Sequence, residues 1–154
     1  MADGIPLVKD YMRSPVVTIS AEAGLDRALM MMRTQRIRHL PVVDDDGQMV
    51  GLISDRDLRL SMLEMEQGPS GAPKGYFLPA LTKINTVMIS NVVTASPEMP
   101  LANAVTVMSE RKFGCLPVLD AGSKKPVGII TETDMLRLLS SILKKKPAVF
   151  EGEK

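Results

Sequence analysis

"VGLISDRD", Val50 to Asp57, and "VGIITETD", Val127 to Asp134, decide how this chain is read. Each is a short apolar run that ends on a hydroxyl, Ser54 or Thr131, with an aspartate, Asp57 or Asp134, three residues on. That spacing is the capping-box pattern, in which two side chains satisfy the free N–H groups that open a helix. Glu or Gln is the usual second partner, and both copies use Asp. Twice, then, the chain predicts a strand that runs directly into a helix.

Outward from these stretches the chain keeps repeating itself. "RIRHLPVVD", Arg36 to Asp44, returns as "KFGCLPVLD", Lys112 to Asp120, with Arg38-His39 replaced by Gly114-Cys115. Upstream, Met12, Ser14, Val16, Val17, Thr18, Ser20, Glu22, Leu25, Ala28 and Met32 fall on Met88, Ser90, Val92, Val93, Thr94, Ser96, Glu98, Leu101, Ala104 and Met108. Agreement over this length identifies an internal duplication.

Both copies have the same local grammar. The β-branched runs Val16-Val17-Thr18-Ile19 and Val92-Val93-Thr94 read as short strands. Leu25, Ala28, Leu29 and Met32 form the buried stripe of an amphipathic helix, as do Leu101, Ala104, Val105 and Met108. Pro100 suits a first helical turn. Strands are expected at His39–Val43 and Met49–Ser54, joined by the turn Asp44-Asp45-Asp46-Gly47. Pro41 and Pro117 lie inside the first strand of each such pair, which argues for an edge or irregular position. Second helices follow from about Asp55 and about Glu132.

The unit is β-α-β-β-α, twice, an α+β fold. Half of a chain this short buries too little surface to stand alone, so the copies are expected to pack face to face with pseudo-two-fold symmetry. The expected organisation is repeat 1 over 1–66, a Gly- and Pro-rich connector over 67–80, repeat 2 over 81–146 and a tail over 147–154. The connector reads as a mobile spacer, with a functional lid as the alternative. In the last helix Arg137, Ser140, Ser141 and Lys144 make a narrow polar stripe against Met135, Leu136, Leu138, Leu139, Ile142 and Leu143. That apolar arc is wider than one core needs and predicts a subunit interface, most simply a homodimer. Lys144-Lys145-Lys146 suits the negative C-terminal end of a helix, with Pro147 as its stop.

Composition narrows the function classes. The 154 residues are 45% hydrophobic and 24% charged with net charge +1, which are values of a globular chain. Aromatics at 3% and a balanced charge argue against nucleic acid. No run approaches the ~20 apolar residues of a membrane helix, and the single cysteine fits a reducing, cytoplasmic location. The 12 methionines, with Met30-Met31-Met32 in a helical pattern, read as core filler rather than a thioether metal site. One His and one Cys spell out neither a metal site nor a Cys-His pair, and no phosphate-binding glycine loop occurs. No enzyme, catalytic cofactor or metal site is therefore expected.

The two Ser/Thr-x-x-Asp boxes admit a second reading. A helix N-terminus with a hydroxyl can receive an anion, and a neighbouring carboxylate can accept from paired sugar hydroxyls. Together these describe a nucleoside-phosphate pocket as well as a plain cap.

The tandem units, with "HLPVVD", "CLPVLD", "GLISDRD" and "GIITETD", resemble paired cystathionine-β-synthase (CBS) repeats, the Bateman module. They look most like the CBS pairs of acetoin-utilisation-type proteins. The resemblance runs from about Lys9 to Leu139 and implies a regulatory module that binds an adenosine-type ligand (AMP, ADP or ATP) in two clefts. It also implies an unidentified regulated partner. Carried over to this chain, the first cleft is expected to comprise Arg38, His39, Pro41, Ser54, Arg56, Asp57, Ser90, Asn91 and Val92. The second comprises Ser14, Pro15, Val16, Gly114, Cys115, Pro117, Thr131 and Asp134. Asp57 and Asp134 would hold ribose hydroxyls, and Arg38 and His39 would face phosphate. On that grouping the first cleft takes a phosphorylated nucleotide and the second a less charged ligand or none. The alternative is a structural dimerisation module with vestigial clefts.

Overall fold

The computed structural model describes residues 4–66 and 79–145. Most of the expected connector and all of the expected tail, with Lys146 and Pro147, lie outside the described residues. The first copy contains β1 (Ile19–Ser20), α1 (Leu25–Gln35), β2 (His39–Val43), β3 (Met49–Ser54) and α2 (Asp55–Glu66). The second contains α3 (Leu101–Arg111), β4 (Cys115–Leu119), β5 (Pro126–Thr131) and α4 (Glu132–Lys145). The architecture is α+β, with a three-stranded sheet β1-β2-β3 and a two-stranded sheet β4-β5.

The hairpins follow from local chemistry. Asp44 Oδ1 accepts the N–H groups of Asp46 and Gln48 at 3.0 and 2.9 Å, and Gly47 turns the chain at φ +77. β2 and β3 then pair antiparallel, His39 opposite Ser54 and Pro41 opposite Leu52. β4 and β5 repeat that register with Cys115 opposite Thr131 and Pro117 opposite Ile129. Pro41 is fully buried and lies in the middle strand of its sheet, one residue before the parallel pairing with β1 begins at Val42. Its missing N–H therefore costs no ladder bond on that side. Leu25, Ala28 and Met32 are buried on α1, and Leu101, Ala104 and Met108 on α3, as the periodicity requires. Pro100 precedes α3 rather than opening it, in the N-cap position. Met32 is buried and Met31 packs on the core, while Met30 is exposed.

The opening strands are shorter than their β-branched composition predicts. Only Ile19 and Ser20 pair with β2, and in the second copy Ala95 makes a lone parallel bridge to Val118 in place of a Val92–Thr94 strand. The reason is tertiary. Upstream of these residues each opening segment crosses to the other repeat. Arg13 exchanges both backbone hydrogen bonds with Ile129 on β5, at 2.9 and 3.1 Å. Ile89 does the same with Leu52 on β3, at 2.9 Å each way. The backbone cannot hold its own sheet and the opposite one over the same residues.

The crossing also divides the core. Val8, ahead of the first copy, is buried in the second cluster with Leu101, Met108, Leu116 and Ile130. Ile84, ahead of the second copy, is buried in the first with Leu25, Leu40, Ile53 and Leu58. Each first helix is received by the crossing segment, Leu25 N–H donating to the Thr82 carbonyl at 3.0 Å and Leu101 N–H to that of Pro6 at 2.8 Å. The two halves are thus related by a pseudo-two-fold exchange of their leading segments.

Candidate functional site

Both Ser/Thr-x-x-Asp boxes are formed. Ser54 Oγ–H and N–H donate to Asp57 Oδ2 at 2.7 and 2.9 Å, and Asp57 N–H donates back to Ser54 Oγ at 3.1 Å. Thr131 and Asp134 repeat the pattern at 2.7, 3.2 and 3.3 Å. Each hydroxyl proton is committed to its own aspartate, so toward a ligand Ser54 and Thr131 retain an acceptor lone pair and no donor.

Two cavities lie along the seam between the repeats. The first, about 190 Å³, is lined by His39, Ser54 and Asp57 from one repeat. Asn91, Val92, Val93 and the run Lys112 to Cys115 line it from the other. The second, about 250 Å³, is lined by Arg13, Pro15, Val16, Val17, Arg38 and His39 against Ile129 and Thr131 of the opposite repeat. His39 is a wall of both.

The grouping differs from the one expected from sequence. Arg38 stands in the cavity with Thr131, not with Asp57, and Gly114 and Cys115 stand with Asp57 rather than with Asp134. The hairpins meet across the pseudo-two-fold, so the residues just before each Leu-Pro-Val face the other repeat's half of the seam. Pro41 and Pro117 are buried strand residues that line neither cavity. Arg56 and Ser90 are exposed outside both, and Ser14 donates its hydroxyl to the Val127 carbonyl at 2.8 Å. Arg13, Gln35, Lys112 and Phe113 are cavity residues that the motifs did not flag. Arg13 was visible to comparison of the copies, since it aligns with Ile89.

The two aspartates are not equivalent. Asp57 lines its cavity, and the hydrogen bonds its carboxylate accepts among the described residues all fall on Oδ2. Asp134 does not line the other cavity. Its Oδ1 accepts from Arg13 Nε at 2.8 Å, with Arg137 at 3.7 Å.

Burial, reinforced by the charge of Arg38, holds the His39 pKa below its ordinary value, against the pull of Asp55, Asp57 and Glu132. At neutral pH the ring is a neutral imidazole with one donor and one acceptor. Burial pushes the Cys115 thiol up to about 12, assisted by the charge of Glu132. It is a small apolar wall and not a nucleophile at neutral pH. Among the described residues, no group of His, Cys, Asp and Glu could hold a metal ion, and no helix is long and apolar enough to cross a membrane.

A third concavity is of another kind. Between α3 and α4 a groove of about 630 Å³ is walled by Leu101, Val105, Met108, Met135, Leu138 and Leu139 among others. Leu136 and Ile142, which also line it, are 65% and 50% exposed.

Comparison with known proteins agrees with the duplication. The model of the CBS domain matches residues 8–64 and again 84–141. A CBS domain-containing protein of Dictyostelium discoideum is 35% identical over 92% of this chain and 96% of its own length. The homoserine O-acetyltransferase of Methanohalobium evestigatum is 29% identical, and the matched stretch is only 24% of that protein. The solved CBS domain pair of protein MJ0100, in complex with 5-methylthioadenosine and S-adenosyl-L-methionine, superposes with a TM-score of 0.75 at 27% identity, covering 90% of this chain and 99% of that one. CBSX2 in complex with AMP gives 0.70 at 28% identity, covering 88% and 97%. AcuB from Vibrio cholerae gives 0.77 at 27% identity, covering 94% and 97%. With two matched stretches that together take in most of its length, this chain belongs to the CBS domain family, as a tandem CBS pair.

Proposed function

We propose that this protein is a regulatory module that binds an adenosine-type ligand, AMP, ADP or ATP, in the seam between its repeats. One observation carries the reading: Asp57, with Oδ1 free of hydrogen bonds among the described residues, shares a two-repeat cavity with Asn91, Val92 and His39. A carboxylate so placed accepts from two vicinal hydroxyls, and the valines offer flat apolar walls to a base. That structural relatives carry AMP, or 5-methylthioadenosine with S-adenosyl-L-methionine, supports the same ligand class. Residues 1–66 and 81–146 are the two repeats on this reading, and the lone Cys115 suits a reducing cytoplasm.

The cavities explain how binding becomes regulation. At about 190 and 250 Å³ both fall below the ~300 Å³ at which ligand pockets usually begin. Both draw their walls from two repeats, so a nucleotide seated in either touches both and biases the angle between them. A partner that prefers one angle then reads occupancy. The decisive experiment is calorimetric titration with AMP, ADP, ATP and S-adenosylmethionine, alongside thermal shift. Ligand at 100 times its Kd stabilises the fold by about 2.7 kcal/mol. Asp57→Asn, which keeps most of the cap, should weaken binding about ten-fold or more, since charge-assisted hydrogen bonds contribute roughly 1.5–3 kcal/mol. Unchanged affinity refutes the ribose role.

The apolar groove favours a second element, association with another copy of the chain. Leu60 and Leu63 on α2 are exposed, as Leu136 and Leu139 on α4 are, so both second helices carry exposed leucines, although in the repeat register Leu60 and Leu63 correspond to Arg137 and Ser140. If no adenosine ligand binds, this face leaves a dimerisation scaffold with empty clefts as the surviving reading.

A further inference from the structure

We propose that Arg13 makes the two cavities unequal in ligand charge: the Asp134 side requires an anionic ligand, and the Asp57 side accepts an uncharged nucleoside. The inference rests on the adenosine reading and specifies it. Asp134 is 11% exposed on its side chain and Arg13 43%, with 2.8 Å between Nε and Oδ1. Arg13 lines the cavity and the aspartate does not, so a ligand approaching from the cavity meets the guanidinium first. Arg13 stands between the cavity and Asp134 Oδ1, so a sugar reaches that oxygen only when the guanidinium moves aside. A neutral nucleoside that displaced it would leave a guanidinium without its anion beside Arg38, a second guanidinium in the same cavity. A phosphate supplies the replacement anion and pairs bidentately with the arginine fork, while Arg137, 3.7 Å from Oδ1, remains beside the carboxylate.

The opposite cavity has no such requirement. Ile89 occupies the place of Arg13, making the equivalent backbone bridge to Leu52 that Arg13 makes to Ile129. Asp57 already lines its cavity, where Gly114 stands in the place of Arg38 and no arginine is found among the described residues of the wall. Among those residues Lys112 is the one cation besides the neutral-leaning His39. The seam thus has a neutral half and a phosphate-dependent half, distinguished by the pairs Arg13/Ile89 and Arg38/Gly114.

The test is calorimetric binding of adenosine and of AMP to the full chain. In an Asp57→Asn background, which leaves the Arg13 cavity as the stronger site, AMP should bind at least about ten-fold more tightly than adenosine. Adding Arg13→Ile should cut that preference several-fold, whereas Arg13→Lys, which keeps the charge but loses the fork, should retain part of it. Ile89→Arg, placed in the Arg13→Ile chain with Asp57 intact, should create a phosphate preference in the other cavity, a gain that misfolding cannot mimic. A ratio of AMP to adenosine affinity that Arg13→Ile leaves unchanged overturns the selector role while the nucleoside reading stands. Failure of the wild-type chain to bind either compound overturns that reading, and this one with it.

Discussion

Gly114 backs directly onto the ring of His39: a β-carbon at Gly114 would stand 3.2 Å from His39 Nε2 and 3.3 Å from Cε1. The two residues come from opposite repeats, and Gly114 occupies the position that Arg38 holds in the first copy. The loss of a basic side chain there makes room for the imidazole that walls both cavities. Gly114→Ala requires that ring to give by a few tenths of an ångström and should destabilise the fold by about 1 kcal/mol, the low end of overpacking. In a double-mutant cycle with His39→Ala the coupling should exceed ~0.5 kcal/mol. Additive effects in urea denaturation would show that the two do not press on one another.

His39 is the only histidine in the chain, which makes its titration readable. Its pKa is lowered in the fold, so below its ordinary value near 6.5 the unfolded chain binds a proton that the folded one resists. Stability should fall as pH drops from about 6.5 toward the folded pKa, and level off below it. Wild type minus His39→Gln, compared by denaturation midpoint at pH 7.5 and 5, isolates this from the carboxylates. A difference that does not vary with pH would contradict the burial assignment.

Gly51 and Gly128 are where the crossing segments lie closest to the sheets. A β-carbon on Gly51 would meet Met88 Sδ and stand 2.9 Å from the Ile89 carbonyl oxygen. One on Gly128 would meet Met12 Sδ and stand 3.0 Å from that of Arg13. The thioethers can swing aside and the carbonyls cannot, so Gly51→Ala and Gly128→Ala should each cost about 1–3 kcal/mol. Matching losses by chemical denaturation would show the two crossings to be energetically equivalent.

The α3–α4 groove gives a prediction about assembly. If a second copy covers it, Leu139→Glu should shift sedimentation from dimer to monomer while circular dichroism remains unchanged, because Leu139 is half exposed in the single chain. Sedimentation of the wild type as a monomer at high concentration would refute the interface.

How much of this was legible in the sequence depends on the range of the interaction concerned. The hairpins, the helix stripes and both capping boxes rest on residues within a few positions of one another, and their expected boundaries are those observed. The strand expected at Val92-Val93-Thr94 is absent because propensity carries no information about Ile89 pairing with Leu52. The same blindness to long range misplaced Arg38 and Gly114 between the cavities. Residues that share a motif were grouped together, whereas the pseudo-two-fold exchanges them. Arg13 lay in plain view as a mismatch between the copies, and only the ion pair with Asp134 gives that mismatch a meaning.

The exchange of leading segments also sets an order on the birth of the molecule. The first repeat owes its sealed interior to Ile84, which is fully buried among Leu25, Ile53 and Leu58. Removing that side chain with Ile84→Ala should cost about 2–5 kcal/mol although it lies beyond the repeat it completes. On the ribosome, residues 4–66 emerge as a half-finished interior that waits for the second copy's opening to arrive. Val8 meanwhile waits until α3, β4 and β5 exist to receive it. Neither copy closes its interior with its own residues alone, and the seam is where both interiors are completed.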